Sequence, residues 1–81
     1  VSVKTIMFYT TEGCHLCEQA WKIVAPLAQQ YSFQLRSIEI SEDEGLVEAL
    51  GTRIPVIRLD GMQQDLGWPF DDQDIIEYLS E

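Results

Sequence analysis

Hydrophobic and polar positions follow two different periods along this chain, and the switches between them mark out its elements. Residues 1–9 carry Val1, Val3, Ile6, Met7, Phe8 and Tyr9, an alternation that passes into a continuous apolar run. That pattern predicts a strand buried on both faces, hence a central one. After the polar stretch Thr10 to Gly13, apolar residues recur at Leu16, Ala20, Val24, Leu27, Ala28 and Tyr31, close to the period of an amphipathic helix opening at Cys14. Pro26 falls inside this pattern and removes one backbone hydrogen bond at about 3 kcal/mol, which predicts a kink or a change of helix between Lys22 and Pro26.

Phe33 to Ile40 alternates well enough for a second strand with one partly exposed face. Ser41 and Glu44 have capping-box spacing, and Glu42 and Asp43 complement a helix dipole, so a short helix carrying Leu46, Val47 and Leu50 is expected to run to Gly51. Ile54 to Leu59 reads as a strand led by Pro55. Asp60-Gly61 is a two-residue hairpin signal into an antiparallel strand, Met62 to Leu66. Phe70, Asp71, Asp74 and Ile75 offer a staple and an N-cap for a last helix through Tyr78 and Leu79. The predicted order is β-α-β-α-β-β-α without internal repeats: an α/β chain with a right-handed βαβ crossover and a mixed sheet.

Length and charge narrow the functions open to such a fold. Eighty-one residues make one domain, 1–81, and 46% apolar against 23% charged residues leaves enough material for a core. Five Lys and Arg against fourteen Asp and Glu give a net charge of -9, which repels nucleic-acid phosphates and anionic membrane surfaces. No stretch approaches the roughly 18 continuous apolar residues of a membrane span, and no secretory signal is seen. The sequence starts at Val1, so either an initiator or a longer segment is expected to have been removed. Cytoplasmic location is the expectation. The acidic stretches Glu42 to Glu48 and Asp71 to Glu81 read as solubilising surface, and Trp21 reads as a packing residue.

The candidate chemistry lies in Gly13-Cys14-His15-Leu16-Cys17, at the boundary of strand and helix. In the first helical turn, unpaired N–H groups and the positive end of the dipole favour a thiolate, so Cys14 is the expected nucleophile. Cys17 lies one turn along on the same face, where a second thiol can resolve a mixed disulfide. His15 can donate a hydrogen bond and becomes cationic near its reference pKa of about 6.5, favouring the thiolate; Glu12 and Glu18 oppose it. Structural zinc wants four protein ligands, and two Cys with an intervening His do not supply them. Metal or an iron–sulfur cluster shared by paired chains stays open as an alternative. Pro55 either begins an edge strand or forms a cis peptide beside the thiolate, which would leave the backbone of Ile54 to pair with an extended substrate.

On Thr5 to Tyr9, Cys14-His15-Leu16-Cys17 opening a helix, Arg53-Ile54-Pro55-Val56 and Asp60-Gly61 before a final helix, the sequence resembles the thioredoxin-fold proteins. Within them it resembles the glutaredoxin-like group, and small bacterial members in particular, over nearly the whole chain. The resemblance implies a thioredoxin-like fold with a four-stranded mixed sheet and helices on both faces. It also implies a dithiol-disulfide oxidoreductase serving electron transport through a redox-active disulfide, with Cys14 attacking and Cys17 resolving. Glutathione as co-substrate or protein disulfides as partners, no tightly bound cofactor and a monomeric state go with it.

The chain departs from that family where glutathione would be held. Thr11, with Glu12 beside it, stands where a Lys is usual, and Gly67-Trp68-Pro69-Phe70 replaces a Gly-Gly region before Asp71-Asp72. Asp71 is the residue to carry over, with Asp72 beside it. Arg53 is either a substitute anion contact or a solvated surface residue. Trp68 either packs or borders the substrate groove, and His15 stands where Pro is common. These departures motivate a second reading, a thioredoxin-fold module that binds a partner without catalysis.

Overall fold

The computed structural model describes residues 4–80. Strand β1 (Thr5–Thr10) leads to helix α1 (His15–Gln30) and strand β2 (Gln34–Glu39). A 3-10 turn (Ile40–Glu42) and helix α2 (Glu44–Leu50) follow, then β3 (Val56–Leu59), β4 (Leu66–Gly67) and α3 (Asp72–Leu79). Val1 and Val3, placed in the first strand on pattern, lie outside the described residues. The sheet order is β2-β1-β3-β4, so the most apolar strand is central as its pattern requires. β1 pairs parallel with β2, Thr5 opposite Gln34 through Thr10 opposite Glu39, and antiparallel with β3, Ile6 opposite Leu59 through Tyr9 opposite Val56.

The period of two along β1 sorts its side chains onto the two sheet faces. Ile6 and Phe8 join Ile57 and Leu59 under α1 and α3, with Cys17, Ala20, Val24, Ala28, Ile75 and Tyr78 closing that core. Tyr9 and Val56 point the other way, onto Ile40 and Leu50 of the α2 segment. Burying a side chain such as Phe8 or Ile57 contributes about 1.5–3 kcal/mol, so these two layers hold the sheet between them.

Four local expectations are corrected. Helix α1 runs unbroken through Pro26 rather than changing helix there. Pro26 and Lys22 are both exposed, so water can satisfy the Lys22 carbonyl that the proline leaves without its N–H. The buried stripe of α1 is Cys17, Ala20, Val24 and Ala28, whereas Leu16 and Tyr31 are exposed. Asp43, not Ser41, caps α2: its Oδ1 accepts from the N–H groups of Gly45 (2.9 Å) and Leu46 (3.2 Å), while Ser41 lies in the preceding turn.

The hairpin after β3 is also longer than expected. The Met62 N–H bonds the Leu59 carbonyl at 2.9 Å, and within the turn Gly61 has φ +91° while Asp60 stays at negative φ. A two-residue type I′ hairpin needs positive φ at both positions, so the strands splay and β4 pairs only at Leu66 and Gly67. Beyond that short ladder the Leu59 N–H finds Tyr78 Oη at 2.9 Å, and the same hydroxyl donates to the Gln64 carbonyl at 2.6 Å. Tyr78→Phe leaves a buried N–H unpaired and is expected to cost about 1–3 kcal/mol. Urea unfolding checks this, with a lower midpoint and an unchanged slope as the expected result.

Candidate active site

The strand register brings the sequence's candidate residues to one end of the sheet. β1 and β2 are parallel and end together, at Thr10 and Glu39. β3 begins at that end, because Val56 lies opposite Tyr9, and β4 finishes there, with Gly67 opposite Val56 and the Trp68 N–H bonded to the Pro55 carbonyl at 3.0 Å. The loop 11–14, the segment 53–55 and the segment 67–71 therefore lie at the same end of the sheet as the N-terminus of α1, and Cys14, Ile54 and Trp68 pack against one core. Gly13, at φ +78°, supplies the left-handed turn that leads β1 into that helix.

Cys14 is the N-cap of α1, with extended backbone, and its Sγ accepts the Cys17 N–H at 3.1 Å. That N–H is one of the four left unpaired at a helix start, so the sulfur sits where partial positive charge collects. Cys14 and Cys17 form a disulfide, with 5.2 Å between their Cα atoms. The two sulfurs differ in access: Cys17 is 3% exposed and belongs to the core, whereas Cys14 is half-buried.

Two acidic groups border the loop. The Glu39 carboxylate, at the end of β2, accepts the Glu12 N–H at 2.9 Å and the Ser41 N–H at 3.0 Å, and also bonds the Thr11 side chain. These bonds, that from Ser41 first and Thr11 next, hold its pKa below the ordinary 4.5. Glu39 thus clasps the Cys14 loop to the neighbouring strand. His15 turns outward, 94% exposed, and its Nδ1 lies 3.2 Å from Glu18 Oε2.

On the other side of Cys14, the peptides Ile54–Pro55 and Trp68–Pro69 are both cis. The Ile54 N–H is committed to the Leu50 carbonyl at 3.0 Å, so an incoming strand would find the Ile54 carbonyl; among the described residues no donor meets it. Pro55 itself is fully buried. Arg53 is held by Asp65, Nη1 to Oδ2 at 3.2 Å and Nη2 to Oδ1 at 2.6 Å, and that hydrogen bonding raises its pKa further. Trp68 is half-buried and stacks edge-on against Phe70, with 5.1 Å between ring centroids. Asp71 caps α3, its Oδ1 accepting the Asp74 N–H at 2.8 Å while Asp74 Oδ2 accepts the Asp71 N–H at 3.0 Å.

An open cleft of ≈ 600 Å³ lies on the β2 side of the cysteines, bordered by Cys14, Cys17, Phe8, Trp21, Lys22 and Ser37 among others. None of Arg53, Ile54, Pro55, Trp68 or Asp71 reaches it. Trp21 is both packing and surface: its ring meets Phe8 edge-on at 5.2 Å, yet it remains 39% exposed. Its spacing of four from Cys17 was the available sequence signal. Glu39 and Asp65 carried none, since their partners are far away in sequence. Among the described residues no group of three or more His, Cys, Asp or Glu is arranged to hold a metal ion, and no helix is long and apolar enough to cross a membrane.

Comparison with known proteins adds to this geometry. A family model described as a glutaredoxin-like domain (DUF836) matches residues 5–80. A crystallised structural-genomics target protein from X. campestris is 39% identical, with 93% of this chain and 95% of that one covered and a TM-score of 0.75. A Nitrosomonas europaea protein solved by NMR is 29% identical over 96% of this chain and 93% of its own, with a TM-score of 0.80. A mutant thioredoxin from Halobacterium salinarum is 26% identical over 96% of this chain and 75% of its own, with a TM-score of 0.70. Among curated proteins none matches.

The clasp at Glu39 makes a prediction with a definite sign. A carboxylate whose pKa is lowered on folding stabilises the fold fully above its unfolded value and loses that contribution as pH falls through the folded value. Glu39→Gln is therefore expected to be less stable than the wild type at pH 7. The gap should close below pH 4.5, as protonated Glu39 comes to resemble Gln. Parallel urea titrations at pH 7 and pH 3 measure it, and a gap independent of pH would refute the role.

Proposed function

Because the chain belongs to the glutaredoxin-like domain family (DUF836) and has the thioredoxin-like fold, we propose that it is a thiol-disulfide oxidoreductase working through a mixed disulfide at Cys14. The observation that carries this reading is the unequal access of the two sulfurs, Cys14 half-buried at a helix mouth and Cys17 buried behind it. An external sulfur meets Cys14 first.

In the reduced protein, the Cys14 thiolate attacks one sulfur of a substrate disulfide. The Cys14–substrate bond forms, the substrate S–S bond breaks, and the other half leaves as a thiolate that takes up a proton. Cys17, deprotonated in turn, attacks Cys14 Sγ, forming the Cys14–Cys17 disulfide and releasing the second half as a thiol. The substrate has gained two electrons and two protons, and the pair is oxidised. Two molecules of a thiol such as glutathione, oxidised to their disulfide, return the electrons. The helix N-terminus and the Cys17 N–H support the Cys14 thiolate in the first step, and again when a second thiol attacks the outer sulfur of a Cys14 mixed disulfide and expels Cys14 during re-reduction. The Ile54 carbonyl and the exposed part of Trp68 flank the approach on the Pro55 side, as residues to contact substrate. His15 and Glu18, paired and solvent-facing, form the outer rim.

Cys14→Ser is expected to abolish reduction of bis(2-hydroxyethyl) disulfide by glutathione, and Cys17→Ser to accumulate a one-to-one adduct on Cys14 visible by intact mass. In the reduced wild type, Cys14 should titrate below the free-thiol value of about 8.5. Turnover that survives in Cys14→Ser, or an adduct found on Cys17 instead, would overturn the assignment. Disulfide reduction lost in Cys14→Ser also separates this reading from a partner-binding module, whose action does not depend on that sulfur.

A further inference from the structure

Charge on the Pro55 side of Cys14 is set by a few residues. The segments that meet there, residues 51–56 and 65–72, carry three carboxylates, Asp65, Asp71 and Asp72, and one cation, Arg53. A guanidinium offers a planar fork that fits a carboxylate with two parallel hydrogen bonds, and an unoccupied fork at this position would recognise an acidic substrate. This fork is filled from within the chain: Nη1 donates to Oδ2 and Nη2 to Oδ1 of Asp65. The pair also lies against the end of the sheet, because a Cβ at Gly67 would come within 3.4 Å of Arg53 Nη2. Gly67 is the β4 residue opposite Val56, next to Pro55.

We propose that Asp65 determines substrate charge: as the internal counter-ion of Arg53 it favours neutral or cationic disulfides and slows carboxylate-bearing ones, glutathione disulfide among them, so that glutathione exchanges with the pair more slowly than an uncharged thiol of similar size. The inference rests on the disulfide-exchange reading of Cys14. An acidic substrate would have to displace Asp65 from Arg53, leave that aspartate without its partner, and approach Asp71 and Asp72 in a chain of net charge -9. An uncharged or amine-bearing disulfide meets no such competition. Arg53 and Asp65 keep 45% and 25% of their side-chain surface exposed.

The test uses the full chain, fully reduced, in single-turnover reactions with three disulfides of similar size: cystamine (cationic), bis(2-hydroxyethyl) disulfide (neutral) and 3,3′-dithiodipropionate (anionic). Asp65→Asn is expected to raise the rate with the anionic disulfide about 3- to 10-fold relative to the neutral one, the range for gaining a charge-assisted contact at a partly exposed site, and the gain should shrink with added salt. The double variant Arg53→Gln with Asp65→Asn, which restores the net charge, should show no gain. A gain that persists in the double variant would overturn the counter-ion role. So would an anionic-to-neutral rate ratio unmoved by Asp65→Asn in a protein that still reacts with the neutral disulfide. A wild type inert to the neutral disulfide would instead sink the exchange reading, and the substrate preference with it.

Discussion

Pairing of β1 on both edges is the constraint on which the rest of this structure depends. Its parallel partner β2 and antiparallel partner β3 are held in registers that place the end of one, the start of the other and the exit of β1 at the same level. A one-residue slip of β3 would turn Ile57 and Leu59 out of the α1 face and carry Pro55 away from the cysteine loop. The two apolar layers resist that slip, since Ile6, Phe8, Ile57 and Leu59 serve one core while Tyr9 and Val56 serve the other. Core packing and site geometry thus rest on the same ladder.

The helix that begins at this sheet end divides the two sulfurs by function. Three residues along α1 carry the chain from a half-buried N-cap to the first position of the buried stripe, so Cys14 keeps part of its surface open to solvent while Cys17 joins Ala20 and Phe8 in the core. Burial of Cys17 is a packing requirement of α1 and also keeps that sulfur from outside partners. The same three-residue spacing brings its N–H onto Cys14 Sγ. One piece of helix geometry supplies sequestration and electrostatic support together.

Much of the acidic excess is structural. Asp43 and Asp71 cap helices, Asp74 completes a capping box, Glu39 holds the Cys14 loop, and Asp65 holds Arg53. Asp43, Asp71, Asp74 and Glu39 accept backbone N–H groups that a helix start or a turn leaves without partners, whereas Asp65 accepts from the Arg53 guanidinium. The Tyr78 hydroxyl does the equivalent for β3, reaching the Leu59 N–H where β4 has already ended. The acidic surface is thereby tied to the loops that border Cys14, which couples their positions to the charges around them.

What the sequence determined by itself is whatever depends on near neighbours along the chain. The period of apolar residues identified the central strand and the helices, the cysteine spacing marked a helix mouth, and the α3 cap with its Phe70 and Ile75 staple could be read directly. Where two local signals competed, the reading went astray: Ser41 against Asp43 for a cap, and a Gly61 turn that fits two hairpin types with different strand lengths. Tertiary structure alone decided the contacts between distant residues, among them Glu39 with Glu12, Arg53 with Asp65, and Trp21 beside Ser37 at the cleft. Their partners are chosen by strand register and by how far β4 extends. Those follow from the packing of whole layers, a sum over many small contacts that no short window of sequence contains.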